Sequence, residues 1–312
     1  MKKFLIRIGI VSAIAAALHL SAALLADGTF DPFYSRFTTS ARHSLIIGTS
    51  RAAQGIRPAD LSGLLAGGGY QGPLLNFAFT LAHSPYGPVY FDAVKEKLDP
   101  ETQNGLFIVM VDPFPLSTPS PTPNDPSTFR EAESLLSRMR GSINGPHPNL
   151  SYFFGLDHGW GAVLTSRLGY LRNPTKRLHD DGWLEITIAH SPQRVRQRFK
   201  RKLAQFQKNA TRFRPSHVRQ EYFEKTVCLL SGHGSVFIVR MPAWEQLITL
   251  ENQLMPDFDD FVQGVSNRCG AVFEDFSTDG KKYEFTDGSH LYKTGARAFT
   301  RDLAARIRSL PQ

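Results

Sequence analysis

Cysteine is scarce in this chain of 312 residues: Cys228 and Cys269 are the only two. A disulfide framework of the kind that staples small secreted domains is thereby excluded. One bridge in an oxidising compartment and two buried thiols both remain open. No His/Cys cluster has zinc-ligand spacing, so neither a structural metal nor a cofactor is expected. Acidic residues are missing from one long segment. Between Arg194 and Arg219 there are ten Lys or Arg and no Asp or Glu; elsewhere 26 basic residues face 28 acidic ones, so the net charge of +8 is a local property. Such a segment is either a solvated helix face or a patch for an anionic surface, whether phospholipid headgroups or an anionic polymer. Internal repeats are absent. With 41% hydrophobic residues the chain is not disordered over most of its length, and it can bury the core of one large α/β domain or two small ones.

The chain opens MKKFLIRIGIVSAIAAALHLSAALLADG, with Lys2 and Lys3 ahead of a mostly apolar stretch from Phe4 to Ala26. That length crosses a hydrocarbon core of ~30 Å. Arg7 lies near one end and can snorkel toward the headgroups. A cleaved signal peptide and an uncleaved anchor compete. The anchor is preferred, because the apolar run is long and Leu24-Leu25-Ala26 is a poor cleavage site. In both cases the basic end stays in the cytoplasm and the remainder is exported. The expected location is the inner (cytoplasmic) membrane, single-pass, with the domain on the periplasmic or extracytoplasmic side. Export in turn disfavours nucleic acid as a partner.

A polar-aromatic linker, 27–42, precedes a domain over 43–312. Buried strands are expected at 44–48, 74–79 (LLNFAF), 105–114 (GLFIVMVDPF), 234–242 and 271–277, each short and near-continuously apolar as in parallel sheets. Helices are expected near 58–66, 85–98, 243–254, 257–270 and 294–310. Residues 115–129 form a Pro/Ser/Thr loop. Together with 130–225, which carries a helix at 192–209, it reads as an insertion at 115–225 covering one end of the sheet. Alternating strands and helices imply a three-layer α/β/α sandwich around a central parallel sheet.

In open α/β sheets, sites form at the carboxyl ends of strands. The first strand runs into Gly48-Thr49-Ser50-Arg51, and Ser50 is either an ordinary helix cap or a nucleophile. A base for it stands near the C-terminus in FTDGSHLYKTGARAF. Asp287 and His290 are three apart, which lets the carboxylate hold Nδ1–H while Nε2 takes a serine proton. Ser50, His290 and Asp287 are therefore the candidate catalytic set. The Ser50 N–H and the Asn76 side-chain amide are candidate oxyanion donors. Arg51 and Arg240 are candidate substrate carboxylate or phosphate ligands. An arginine ending an apolar strand needs a partner, however, and pairing with Asp112 would make both structural. His158, His179 and His233 have no ligand-spaced partner. Adjacent Asp180 and Asp181 do not converge as a glycosidase pair does.

Gly48-Thr49-Ser50 near the start and Asp287-x-x-His290 near the end resemble the SGNH (GDSL-type) hydrolase superfamily, over about residues 43 to 310. That resemblance implies a flavodoxin-like sandwich and a Ser-His-Asp triad in this chain order. Two departures stand out. Thr49 replaces the usual Asp of the first block, and Val111-Asp112-Pro113-Phe114 stands where an Asn motif is expected. They resemble the membrane-anchored branch of DltD-type and alginate-acetylation proteins, which act on acyl groups of envelope polymers beside membrane-bound O-acyltransferases. The resemblance thus implies an exported serine esterase or O-acyltransferase, with an acylated polysaccharide or lipid-linked polymer as substrate and such an acyltransferase as partner. A non-catalytic assembly or binding subunit with the same fold is the alternative.

Overall fold

The computed structural model describes residues 1–27, 34–79, 84–119, 121–139, 141, 143–150, 159–172 and 175–310. Five strands form one parallel sheet: β1 (Ser44–Ile47), β2 (Leu74–Asn76), β3 (Gly105–Met110), β4 (Gly234–Arg240) and β5 (Val272–Asp275). Their order is β2-β1-β3-β4-β5, every neighbouring pair parallel. Among the described residues, the α-helices of six residues or more are, in chain order, α1 (Lys2–Leu24), α2 (Ser50–Gly55), α3 (Pro58–Leu64), α4 (Pro88–Lys97), α5 (Gly159–Arg172), α6 (Pro192–Arg212), α7 (His217–Ser231), α8 (Glu245–Leu254), α9 (Phe258–Cys269) and α10 (Lys293–Ser309).

Side chains alternate across the strands with period two, which splits the core into two layers. Leu45, Ile47, Phe107, Val109, Val236 and Ile238 face α4, α7 and α9. Ile46, Ile108, Met110, Phe237 and Val239 face α2, α3 and α10. Because both faces are covered, the strands carry no polar alternation and read as continuous apolar runs. A third cluster sits at one end of the sheet. There Phe206 of α6 packs with Phe114, Ala243 and Leu247, and Phe199 and Leu203 lie against it.

Several boundaries differ from expectation for local reasons. In LLNFAF only Leu74–Asn76 is strand, although the chain stays tied to β1 beyond it: Phe77 N–H donates to Ile46 O (2.8 Å), and Phe79 N–H donates to Gly48 O (2.9 Å) just past the end of β1. The helix expected from residue 85 starts at Pro88, the first-turn position where a missing N–H costs nothing. The region expected as an insertion also gives way to the sandwich before 225. α7 already belongs to the sandwich from His217, with Phe223, Val227 and Leu230 fully buried at helical spacing. The basic residues flanking α7 masked that apolar stripe in the sequence.

α1 is the one helix among the described residues long and apolar enough to cross a membrane. Its final turn joins the domain, with Ala23 and Ala26 buried beside Tyr34 and Phe37. The two cysteines are joined in a disulfide between α7 and the last residue of α9, where their Cα atoms lie 4.7 Å apart. Beside it Arg268 donates to both oxygens of Glu224, at 2.7 and 3.0 Å. A bridge with a sequence separation of 41 residues stabilises by roughly 3–4 kcal/mol on loop-closure entropy. Protein recovered without reductant should therefore resist thiol alkylation at Cys228 and Cys269 and take two labels after reduction and unfolding. Two reactive thiols in the unreduced, unfolded protein would contradict the bridge.

Candidate active site

Gly48 makes the turn from β1 possible. A side chain there would collide with Met110 of β3 and Ala52 of α2, so only glycine lets the strand end pass this close to both. Thr49 then caps α2, its Oγ1 accepting the Arg51 N–H at 3.3 Å. Threonine, a favoured N-cap residue, thus fills the position that starts the helix. Ser50 is the first helical residue, and N–H groups at a helix start have no intrahelical acceptor. The nucleophile candidate and one oxyanion donor candidate are therefore the same residue.

From 240 positions away in sequence, His290 brings Nε2 to 2.9 Å from Ser50 Oγ. On the other edge of the ring, Nδ1 lies 2.9 Å from Asp287 Oδ2 and 3.1 Å from Oδ1. The three expected catalytic residues are thus brought together in one hydrogen-bonded chain. The loop that holds them is built by Asp287 itself, whose Oδ1 accepts the N–H groups of Ser289 (3.0 Å) and His290 (2.9 Å) in an Asx turn. Gly288 takes the left-handed backbone, φ 77°, and a side chain there would strike Phe199 and Trp244. Burial pushes the Asp287 carboxyl up. The charge and hydrogen bond of His290, Lys202 and the His290 backbone N–H together outweigh it and hold the group well below the usual carboxylate range.

Sequence reasoning missed Lys202. It projects from α6 with Nζ 3.5 Å from Asp287 Oδ2. One turn earlier Arg198 donates to Thr286 O at 2.7 Å and to Ala189 O at 3.1 Å. α6 therefore clasps the His290 loop from outside. No motif announces this; the only signal was that α6 alternates basic and apolar residues. The clasp also divides the basic segment. Arg198 and Lys202 serve the loop, and Arg219 is buried against Glu131, Tyr86 O and the Phe129 ring. Arg194, Arg196, Lys200, Arg201, Lys208, Arg212 and Arg214 stay exposed.

Asn76, Arg51 and Arg240 take structural places, against their expected roles. The Asn76 amide donates both its protons, to Ala52 O (2.9 Å) and Ile56 O (3.0 Å), and its Oδ1 accepts Ala78 N–H at 3.2 Å. It staples the end of β2 to α2 and has no proton left for an oxyanion. Arg51 is 4% exposed. It donates to Asp112 Oδ2 (3.1 Å), Glu251 Oε1 (2.8 Å), Met241 O (2.6 Å) and Pro242 O (3.2 Å). Arg240, 1% exposed, donates to Glu251 Oε2 (3.4 Å), Asn252 Oδ1 (2.5 Å) and Asp259 Oδ1 (3.1 Å). Asp112 thus pairs with Arg51, and fully buried Glu251 joins the two arginines. Neither guanidinium is available to a substrate. His179 and His233 bond Glu185 and Thr102 O at 3.0 Å, while His158 lies outside the described residues.

Comparison of the chain with protein-family models, with curated proteins and with solved structures finds no match.

Two predictions follow from this geometry. Arg51→Ala leaves Glu251 and Asp112 buried without their shared cation and should cost about 3–5 kcal/mol in denaturant unfolding. Normal stability with weakened substrate binding would return Arg51 to the substrate. Lys202→Gln should cost about 0.5–1 kcal/mol at neutral pH, the Lys202 and Asp287 side chains being 21% and 14% exposed. Asp287 has a lowered folded pKa, so its contribution is present above the ordinary carboxylate value and is lost as pH falls through the folded one. The variant and parent curves should therefore converge in strong acid. A stability gap that persists unchanged there would place the effect of Lys202 elsewhere.

Proposed function

We propose that the chain is a membrane-anchored, exported serine esterase or O-acyltransferase acting on acyl esters of a cell-envelope or extracellular polysaccharide. The observation that carries this reading is the Ser50–His290–Asp287 chain at the carboxyl end of β1, with contacts of 2.9 Å on both edges of the imidazole. The strand order also supports it: with the sheet strands numbered as here it is 2-1-3-4-5, that of flavodoxin-type sheets. The disulfide suits an oxidising, extracytoplasmic compartment. The seven exposed cations of the α6 region suit an anionic surface, lipid or polymer, and Lys202 of the same helix reaches Asp287.

In this reading Ser50 Oγ attacks the ester carbonyl as His290 Nε2 takes its proton. The carbonyl oxygen becomes an oxyanion, met by the Ser50 N–H at the positive end of α2. Collapse breaks the ester C–O bond, and His290 returns the proton to the departing alkoxide. The acyl group then rests on Ser50. Water or a polymer hydroxyl, deprotonated by His290, attacks it and regenerates the serine; in transfer, a membrane-bound O-acyltransferase is the upstream partner. Asp287 stays ionised throughout and holds the ring with Nδ1–H toward it.

A second reading, a non-catalytic assembly or binding subunit of an envelope-polymer complex, draws on one observation: Asn76 has no free amide proton, which leaves the oxyanion hole with one identified donor. Kinetics on an activated ester separate the two. Ser50→Ala and His290→Ala should each lower kcat on the order of 10⁶-fold, and Asp287→Asn about 10⁴-fold, with thermal stability retained by Ser50→Ala. Esterase or transferase activity unchanged in Ser50→Ala, or absent from the parent with all acceptors tried, would favour the assembly subunit.

A further inference from the structure

Beyond Leu25, the large apolar side chains that stand exposed among the described residues are Leu150, Leu164 and Leu168, at 42%, 57% and 61%. Among the described residues, the other leucines, isoleucines and phenylalanines of the domain are buried or half-buried. Leu164 and Leu168 are both on α5, four apart, and so share one face of the helix. The residues just before them, Val163 and Arg167, tell where α5 sits. Val163 is 1% exposed and packs in the cluster that holds Ala23 and Ala26. Arg167 donates to Leu25 O at 2.9 and 3.3 Å and pairs with Asp27 at 3.1 Å. α5 is thereby clamped to the chain at the point where α1 ends. Leu24 and Leu25, on that same last turn, are 53% and 49% exposed.

We propose that α5 lies in the membrane surface, with Leu164 and Leu168 at the boundary between headgroups and acyl chains, beside the exit of α1. The proposal rests on α1 spanning the bilayer. If α1 crosses, Asp27 marks the level at which the chain re-enters water, and Arg167, bonded to it, puts α5 at that level. The exposed leucines of α5 then continue the apolar surface of α1 rather than standing alone in solvent. α5 has no acidic residue, so it meets lipid phosphates without repulsion. Continuity with α1 selects the lipid surface over other occupants. A glycan would call for hydroxyl and amide groups on the exposed face, where the leucines stand. α5 would hold the domain at a fixed tilt to the bilayer, an orientation that a single span and a short linker do not impose.

The test uses the full chain in phosphatidylcholine nanodiscs. The native cysteines are bridged, so an introduced cysteine is the one free thiol. Nitroxide labels go on Leu164→Cys, Leu168→Cys, Ile14→Cys within α1 and Lys281→Cys on the exposed domain surface. Each is read by relaxation with oxygen, which concentrates in lipid, and with a nickel chelate, which stays in water. Labels at 164 and 168 should follow Ile14, oxygen-rich and nickel-poor, while 281 does the opposite. If 164 and 168 follow Lys281 while Ile14 is lipidic, the proposal falls and the span stands. If Ile14 is also aqueous, both fall. Protection of 164 and 168 from both reagents would mean that protein, not lipid, covers α5, and overturns the proposal. Esterase activity of the labelled chains is read separately, so failure here is distinct from failure of the catalytic reading.

Discussion

The candidate site depends on a buried network of charge directly behind Ser50. Ser50 is followed by Arg51, and the Arg51 guanidinium bonds the tip of β3 through Asp112, the tip of β4 through Met241 O and Pro242 O, and α8 through Glu251. Arg240 meets the other oxygen of Glu251. Taking these groups from water is costly, and removing any one strands the others. The β1–α2 turn is therefore fixed against three elements that arrive much later in the chain. Burial, with the nearby Asp112 charge, leaves the Glu251 carboxyl raised above the usual carboxylate range, while the Arg51 and Arg240 guanidinium groups oppose that rise and favour its ionised form. Two forked cations around one carboxylate decide the matter physically: the network holds together as ion pairs.

The opposite wall of the site is positioned by different means. Asp287 bends its own loop by accepting two backbone N–H groups, and the same carboxylate orients His290. Gly288 allows the bend, and Trp244 receives it, its N–H donating to Gly288 O at 2.8 Å. α6 closes the loop from outside with Arg198 and Lys202. Ser50 is thus held by buried ion pairs and His290 by a turn under a helix. Both walls converge on one hydrogen bond, which is the kind of pre-set geometry that makes proximity effective.

Much of this was legible in the sequence, and the remainder was hidden for identifiable reasons. The five strands announced themselves because parallel strands covered on both faces must be apolar throughout. Ser50, Asp287 and His290 stood out because strand tips and pre-helix loops are where such sheets place chemistry, and Asp-x-x-His is a local spacing. Arg51 reads as a candidate substrate ligand, and only Arg240, ending an apolar strand, was legible as a residue needing a partner. Their chief partner was not, because Glu251 lies on α8, an ordinary amphipathic helix in which a buried glutamate looks like a surface one. Asn76 misled for a similar reason. A polar residue at a strand tip reads as functional until the carbonyls of Ala52 and Ile56 are seen to take both its protons. The boundary of α7 was hidden by the charges beside it, and the pairing of Cys228 with Cys269 rests on how α7 packs on α9.

The central claim is that Ser50 is a nucleophile activated by His290, and covalent capture tests it most directly. The full chain, in detergent or nanodiscs, is treated with a fluorophosphonate and digested, and the adduct is mapped by mass spectrometry. The account predicts one adduct, on Ser50, that is lost when His290 is replaced by alanine and when the protein is unfolded before treatment. No adduct on the folded chain, or one on Ser50 that persists without His290, would contradict it.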